Sequence, residues 1–146
     1  MNTDLQKAKD MLVSGDYTCV LCRGQTVHTA SKRGVAPLLA FLEEETIPAG
    51  FSAADRIVGK AAAHLYLLLK VKAVYAQVMS EPAKALLIAN GVDASCDRLV
   101  PAIRNRTDTG FCPMETAVMA EEDPRKALPL IHTALCALQE KKGMDT

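Results

Sequence analysis

The sequence predicts an α/β fold: a three-layer α-β-α arrangement around a mixed sheet of about five strands that opens with a β-hairpin. Three observations lead there. Short β-branched and apolar runs alternate with segments of helical periodicity, in the order α-β-β-α-β-α-β-α-β before a tail. The first two runs are separated only by Gly24-Gln25, so those strands pair as a hairpin. The later strands are separated by helices, which carry the chain across for parallel pairing and cover both faces of the sheet. A doubly wound flavodoxin-like sheet is the main competitor, and it does not normally begin with a tight hairpin.

The first helix is predicted over 3–14. Leu5, Ala8 and Leu12 share a face, Thr3 and Gln6 have capping-box spacing, and Ser14-Gly15-Asp16 stops it. Strands follow at 17–23 and 26–30. A second helix covers 35–45, with Pro37 in its first turn and Leu38, Leu39, Phe41 and Leu42 apolar; Pro48 and Gly50 end the region. A strand at 51–54 then leads into a helix at 56–69, with Asp55 placed to cap it. A strand at 73–78 is followed by Ser80-Glu81-Pro82, which opens another helix that Asn90-Gly91 closes. The last strand lies at 95–100.

The tail begins with the polar stretch 105–110. It continues with Phe111-Cys112-Pro113-Met114-Glu115, a short helix, Asp123-Pro124 and a final helix to about residue 142, with Pro129 in its first turn or kinking it. Residues 101–146 are expected to form a C-terminal helical extension of one domain, folding over its cleft.

The chain has 146 residues, 49% hydrophobic and 23% charged, which suits one domain with a packed core. Lys plus Arg equals Asp plus Glu at 17 each, so no basic excess points to DNA, RNA or an anionic membrane. The N-terminus is polar and the longest apolar run, 61–69, is broken by His64. The expectation is a cytoplasmic protein without a membrane segment. Five cysteines (Cys19, Cys22, Cys96, Cys112 and Cys136) are an odd set that reads as reduced thiols. Cys19 and Cys22 have C-x-x-C spacing, but three residues apart on a strand they face opposite ways, as core thiols do.

The element order, with helices ending in glycine and a proline-rich C-terminal extension, resembles the cytidine-deaminase-like superfamily. The phrases Ala54-Asp55-Arg56-Ile57-Val58-Gly59-Lys60-Ala61-Ala62 and Asn105-Arg106 through Cys112-Pro113-Met114-Glu115 are more specific. They are similar to a bacterial and archaeal family, a domain of unknown function placed in that superfamily, and the likeness covers nearly the whole chain. It implies the deaminase-like fold but not the chemistry. A zinc deaminase needs His or Cys with Glu two residues on, then Pro-Cys-x-x-Cys, to hold the metal and move protons. The first motif should fall near 31–35, where no His, Cys or Glu occurs. The second should fall near 55–58, where only Asp55 can bind a metal. Cys112-Pro113 reverses the required order and has no second Cys nearby. The expectation is therefore no zinc and no other cofactor.

The cleft of such a layout lies at the two helix starts after the second and third strands, where unpaired amides and the helix dipole favour anions. Ser31 and Arg33 precede one start, and Asp55 and Lys60 flank the other. From the tail, Asn105, Arg106, Asp108 and Glu115 offer donors, a guanidinium fork and acceptors. These eight residues are the candidate ligand contacts, and the expected ligand is small and anionic, nucleotide-derived molecules included. A solvated turn, an ordinary N-cap and a first-turn carboxylate explain the same residues without a ligand. Cys112, one residue before Pro113 at a helix start, is a candidate reactive thiol for an enzyme or redox sensor; a buried small hydrophobe is the alternative. His28, His64 and His132 are scattered, so core or surface positions explain them best. The small residues Gly59, Ala61, Ala62 and Ala63 read as close helix–sheet packing. A homo-oligomeric interaction module without chemistry is the third reading.

Overall fold

The computed structural model describes residues 3–32, 34–45, 47–103 and 113–144. Its elements are α1 (Thr3–Ser14), β1 (Cys19–Arg23), β2 (Thr26–Ala30), α2 (Ala36–Glu44), β3 (Ser52–Val58), α3 (Lys60–Leu68), β4 (Ala73–Ser80), α4 (Glu81–Ala89), β5 (Asp93–Val100), α5 (Pro113–Val118) and α6 (Pro124–Met144). The strands form one sheet in the order β2-β1-β3-β4-β5. β1 runs antiparallel to both β2 and β3, while β3, β4 and β5 are mutually parallel neighbours. The mixed α/β sheet and its opening hairpin are those the sequence predicts, with Gly24 supplying the left-handed φ of 60° at the turn.

The alternation of side chains along the strands sorts the core into two bodies. Val20 and Cys22 of β1, Ala54 of β3 and Tyr75 of β4 pack against Ala8 and Leu12 of α1. The opposite face, with Cys19, Leu21, Ala53, Val74 and Ala76, packs beneath Leu38 of α2, Leu65 and Tyr66 of α3 and Leu87 of α4. Cys19 and Cys22 thus lie on opposite faces and in different core bodies. Leu12 and Leu65 are fully buried, each burial contributing about 1.5–3 kcal/mol relative to exposure. α5 and α6 pack on each other and on α3, with Met114, Val118, Ala127 and Ile131 joining the larger core.

The largest departure from expectation is at β3. The strand does not stop at Ala54; it runs to Val58 in register with β4, Ile57 opposite Val78 and Val58 opposite Met79. Asp55 is therefore a strand residue and not a helix cap, and α3 starts later, at Lys60, with Gly59 at the N-cap and no side-chain cap from Gly59 itself. The reason lies in Arg56. Its side chain crosses to the α1 face, where Nε donates to Tyr17 O at 2.6 Å and Nη2 to Leu12 O at 3.3 Å and Gly15 O at 3.5 Å. Those are carbonyls at the end of α1, which lack helical donors. A helix beginning at Arg56 would lose that closure.

Smaller departures concern ends. β1 begins at Cys19, β4 extends to Ser80 and β5 starts at Asp93. Gln6 does not complete a capping box; its Nε2 donates to Asp10 Oδ1 at 2.9 Å. Ser80 does open α4, its Oγ accepting from Ala83 N at 3.2 Å. Pro129 lies inside α6, beyond its first turn. Among the described residues no helix is long and apolar enough to cross a membrane.

Candidate functional site

Where β3 delivers the chain to α3, the sheet end, both helix starts and α5 enclose a cavity of about 380 Å³. That volume is within the range of small-molecule sites. Its walls are largely apolar, with Val35, Pro37 and Leu38 from α2 and its approach, Ala62 from α3, Ile103, and Met114 from α5. Its polar groups include Thr18, Cys19, Asp55 and Glu115.

Asp55 is placed by the register of the sheet. It stands opposite Cys19 on β1 and Ala76 on β4, so its side chain leaves the face that α3 covers. Tyr66, one and a half turns into α3, donates its hydroxyl proton to Asp55 Oδ2 at 2.6 Å. Cys19 Sγ lies 3.2 Å from the same Tyr66 oxygen. Tyr66 has one proton and gives it to the carboxylate, so the thiol supplies the proton of the second bond. The result is a chain of donors, Cys19 to Tyr66 to Asp55, ending on the cavity wall. Ile57 N adds a bond to Asp55 Oδ1 at 3.3 Å.

These bonds do not offset the desolvation of the carboxylate. Burial pushes the Asp55 carboxyl up to about 6, against the lowering effects of Tyr66, the neighbouring amides and Arg56. Burial also pushes the Tyr66 phenol and the Cys19 thiol up, so both stay protonated donors near neutral pH. Cys19 is thus no thiolate nucleophile. Asp55, at about 6, is poised to exchange a proton near neutrality.

Glu115 closes the cavity from α5. Its Oε2 accepts from Lys60 N at 2.7 Å and its Oε1 from Ala61 N at 3.4 Å, taking amides in the first turn of α3. The helix start proposed as an anion site is therefore filled by the protein's own carboxylate. Gly59 makes this approach possible: a Cβ there would collide with the Glu115 carboxylate and with Ile103. Gly59 φ is −99°, so the requirement is steric and not conformational. Burial pushes the Glu115 carboxyl up, opposed by its bonds to the two amides.

The two described cations near this site are committed elsewhere. Arg56 spends its guanidinium on the end of α1. Lys60 is buried, with Nζ donating to Met119 O and Glu122 Oε1, each at 3.0 Å. One turn further along α3, the buried His64 shares a hydrogen bond of 2.9 Å with Glu121 O through Nε2. Burial lowers the affinity of His64 for a proton, so Nε2–H is the donor in its neutral form. Glu115, Lys60 and His64 form a line of polar links holding the α5–α6 segment on α3.

Of the residues singled out from the sequence, Asp55 and Glu115 line one cavity. Lys60 adjoins it but directs its ammonium away. Ser31 is exposed just after β2 and is not part of the wall. Arg33, Asn105, Arg106, Asp108 and Cys112 lie outside the described residues. Sequence reasoning missed Tyr66, Cys19 and Gly59 as site residues. Gly59 carried a readable signal, a residue without Cβ where a strand gives way to a helix.

The described residues at the two helix starts do not supply the ligand pattern of a deaminase-type zinc site. The described turns that open α2 and α3, residues 34–37 and 59–62, contain no His, Cys, Asp or Glu. Among the described residues no three potential ligands come together as a metal site.

Residues 7–135 match the family TM1506, "Domain of unknown function (DUF1893)". A crystal structure of a DUF1893 family protein (TM1506) from Thermotoga maritima is similar to this chain, with a TM-score of 0.81 and 25% sequence identity, over 94% of this chain and 92% of that one. No curated protein matches the chain.

Proposed function

We propose that this chain, which belongs to the DUF1893 family, binds a small ligand in the cavity at the C-terminal end of β3 and recognises it through Asp55. The observation that carries this reading is the Cys19–Tyr66–Asp55 donor chain: a carboxylate backed by two buried donors, held near 6, on the wall of a mostly apolar cavity. Maintaining an under-compensated, half-buried carboxylate costs stability, which is how binding sites differ from cores. In parallel sheets the carboxyl ends of the strands are the usual place for such sites.

The strand order, with β1 antiparallel and β3 to β5 parallel, supports a deaminase-like arrangement that works without the metal. That part of the reading is analogy of fold. A small anionic or nucleotide-derived ligand, the expectation from sequence, would need basic groups from residues 33 and 104–112. The described walls favour a ligand that donates hydrogen bonds.

A thermal-shift survey with small organic compounds tests the proposal. A true ligand raises the melting temperature of the wild type and not of Asp55→Asn or of the cavity-filling Ala62→Met. Stabilisation that persists in both variants, or a survey without a stabilising compound, counts against the site.

A further inference from the structure

We propose that the cavity selects a small organic cation, an amine, amidine or guanidine on an apolar body, and places its N–H donors against Asp55. The inference rests on the cavity's being a ligand site, and it adds the class of ligand.

Charge complementarity is the argument. Asp55 and Glu115 bring two carboxylates to one cavity. Among the described residues, Arg56 sends its guanidinium to the opposite face of the sheet, donating to Tyr17 O and Leu12 O, and Lys60 donates to Met119 O and Glu122. Asp55 accepts one short bond, from Tyr66, and weaker ones from the Ile57 and Arg56 amides, which leaves lone-pair capacity for a ligand donor. An anion would meet both carboxylates. The amides of Lys60 and Ala61 at the start of α3 already hold Glu115, and Pro37 removes an amide donor from the first turn of α2. The apolar part of the ligand would lie against Val35, Leu38 and Met114.

The proton balance of binding follows from the groups around Asp55. Cys19 from β1 and Tyr66 from α3 stay neutral, because burial pushes both up. Arg56 on β3 turns its guanidinium away, to Tyr17 O and Leu12 O on the α1 face. Among the described residues, α2 and the turn before it contribute Gly34, Val35, Pro37 and Leu38 to the wall, none of them titratable. Glu115 from α5 is also pushed up by burial and acts in the same sense as Asp55. A cation binds the ionised carboxylate, so below about 6 each binding event must release a proton from Asp55. Affinity then rises as pH rises and levels off above that value. An anionic ligand would show the opposite slope.

Calorimetry on the full chain with benzamidine, benzoate and benzyl alcohol, bodies of similar size and different charge, tests this. The expected result is that benzamidine binds most tightly and gains about tenfold in affinity between pH 5 and pH 7.5. Asp55→Asn flattens that rise and weakens binding at pH 7.5. Should Asp55→Asn fail to fold, Tyr66→Phe serves: loss of the phenol donor raises the Asp55 carboxyl further and moves the rise to higher pH. If benzoate or benzyl alcohol binds as tightly as benzamidine, and Ala62→Met abolishes it, the cavity stands and the cation class is overturned. If none of the three binds, or binding survives Ala62→Met, the cavity reading fails and takes this inference with it.

Discussion

Asp55 and Arg56 are adjacent on β3 and leave opposite faces of the sheet, yet their surroundings differ sharply. Arg56 reaches the end of α1 and finds carbonyls that need donors: Tyr17 O, Leu12 O and Gly15 O, with Gln77 Oε1 at 3.5 Å. Each partner satisfies a need of the other, and the arrangement is a structural closure. Asp55 faces the cavity with Tyr66 as its one short donor, and its carboxyl is pushed up to about 6. A charge whose partners are complete holds a fold together. A charge left short of partners on a cavity wall costs stability and is available to something else.

The comparison predicts opposite signs for neighbouring substitutions. Arg56→Ala has the largest expected effect. It strips the end of α1 of its donors and destabilises the protein by about 2–4 kcal/mol, read as a shift in the midpoint of denaturant unfolding. Loss of less than about 0.5 kcal/mol would mean that α1 is closed by other means.

Next is Gly59→Ala, expected to cost about 1–3 kcal/mol because the new Cβ displaces Glu115 from the α3 amides. In a double-mutant cycle with Glu115→Ala the two losses should be less than additive, since the severest collision goes with the carboxylate and only the contact with Ile103 remains. Additive losses would place the cost of Gly59→Ala elsewhere.

Asp55→Asn has the smallest effect and the opposite sign. A folded-state value raised from 3.8 to about 6 means that stability is lost as pH rises through 6. Asn keeps an acceptor for Tyr66 and escapes that loss, so the variant should be about 1–2 kcal/mol more stable than wild type at pH 8 and nearly equal to it at pH 4. His64 works the other way. Burial lowers its folded-state value, so its contribution is present above the unfolded value near 6.5 and is lost on acidification. In Asp55→Asn that acid-side loss should stand without the compensating gain from Asp55. A variant less stable than wild type at pH 8 would show that the carboxylate stabilises the fold.

The fold was legible wherever local signals agreed. The Gly24-Gln25 hairpin, the Ser80 cap of α4 and the Asn90-Gly91 stop combine strand or helix periodicity with turn chemistry, and the structure has all three. The β3–α3 boundary was not legible, because Asp followed by a helical pattern is a good N-cap signal. What overrides it is tertiary: strand pairing with β4 and the reach of Arg56 to residues about forty positions earlier in the chain. Asp55 and Glu115, which line the cavity, could be singled out from their chemistry alone. Their roles could not, since Glu115 meets α3 across more than fifty residues of sequence, and Tyr66 meets Asp55 only when the strand runs on to Val58.

If Asp55 is an under-compensated carboxylate on the cavity wall, its own titration shows it most directly. Following the side-chain carboxyl carbon of Asp55 by NMR across pH 3–9 should give a midpoint near 6, moving higher in Tyr66→Phe. A midpoint at the ordinary aspartate value of about 3.9, unchanged by Tyr66→Phe, would mean that Asp55 is fully compensated and that Tyr66 does not tune it.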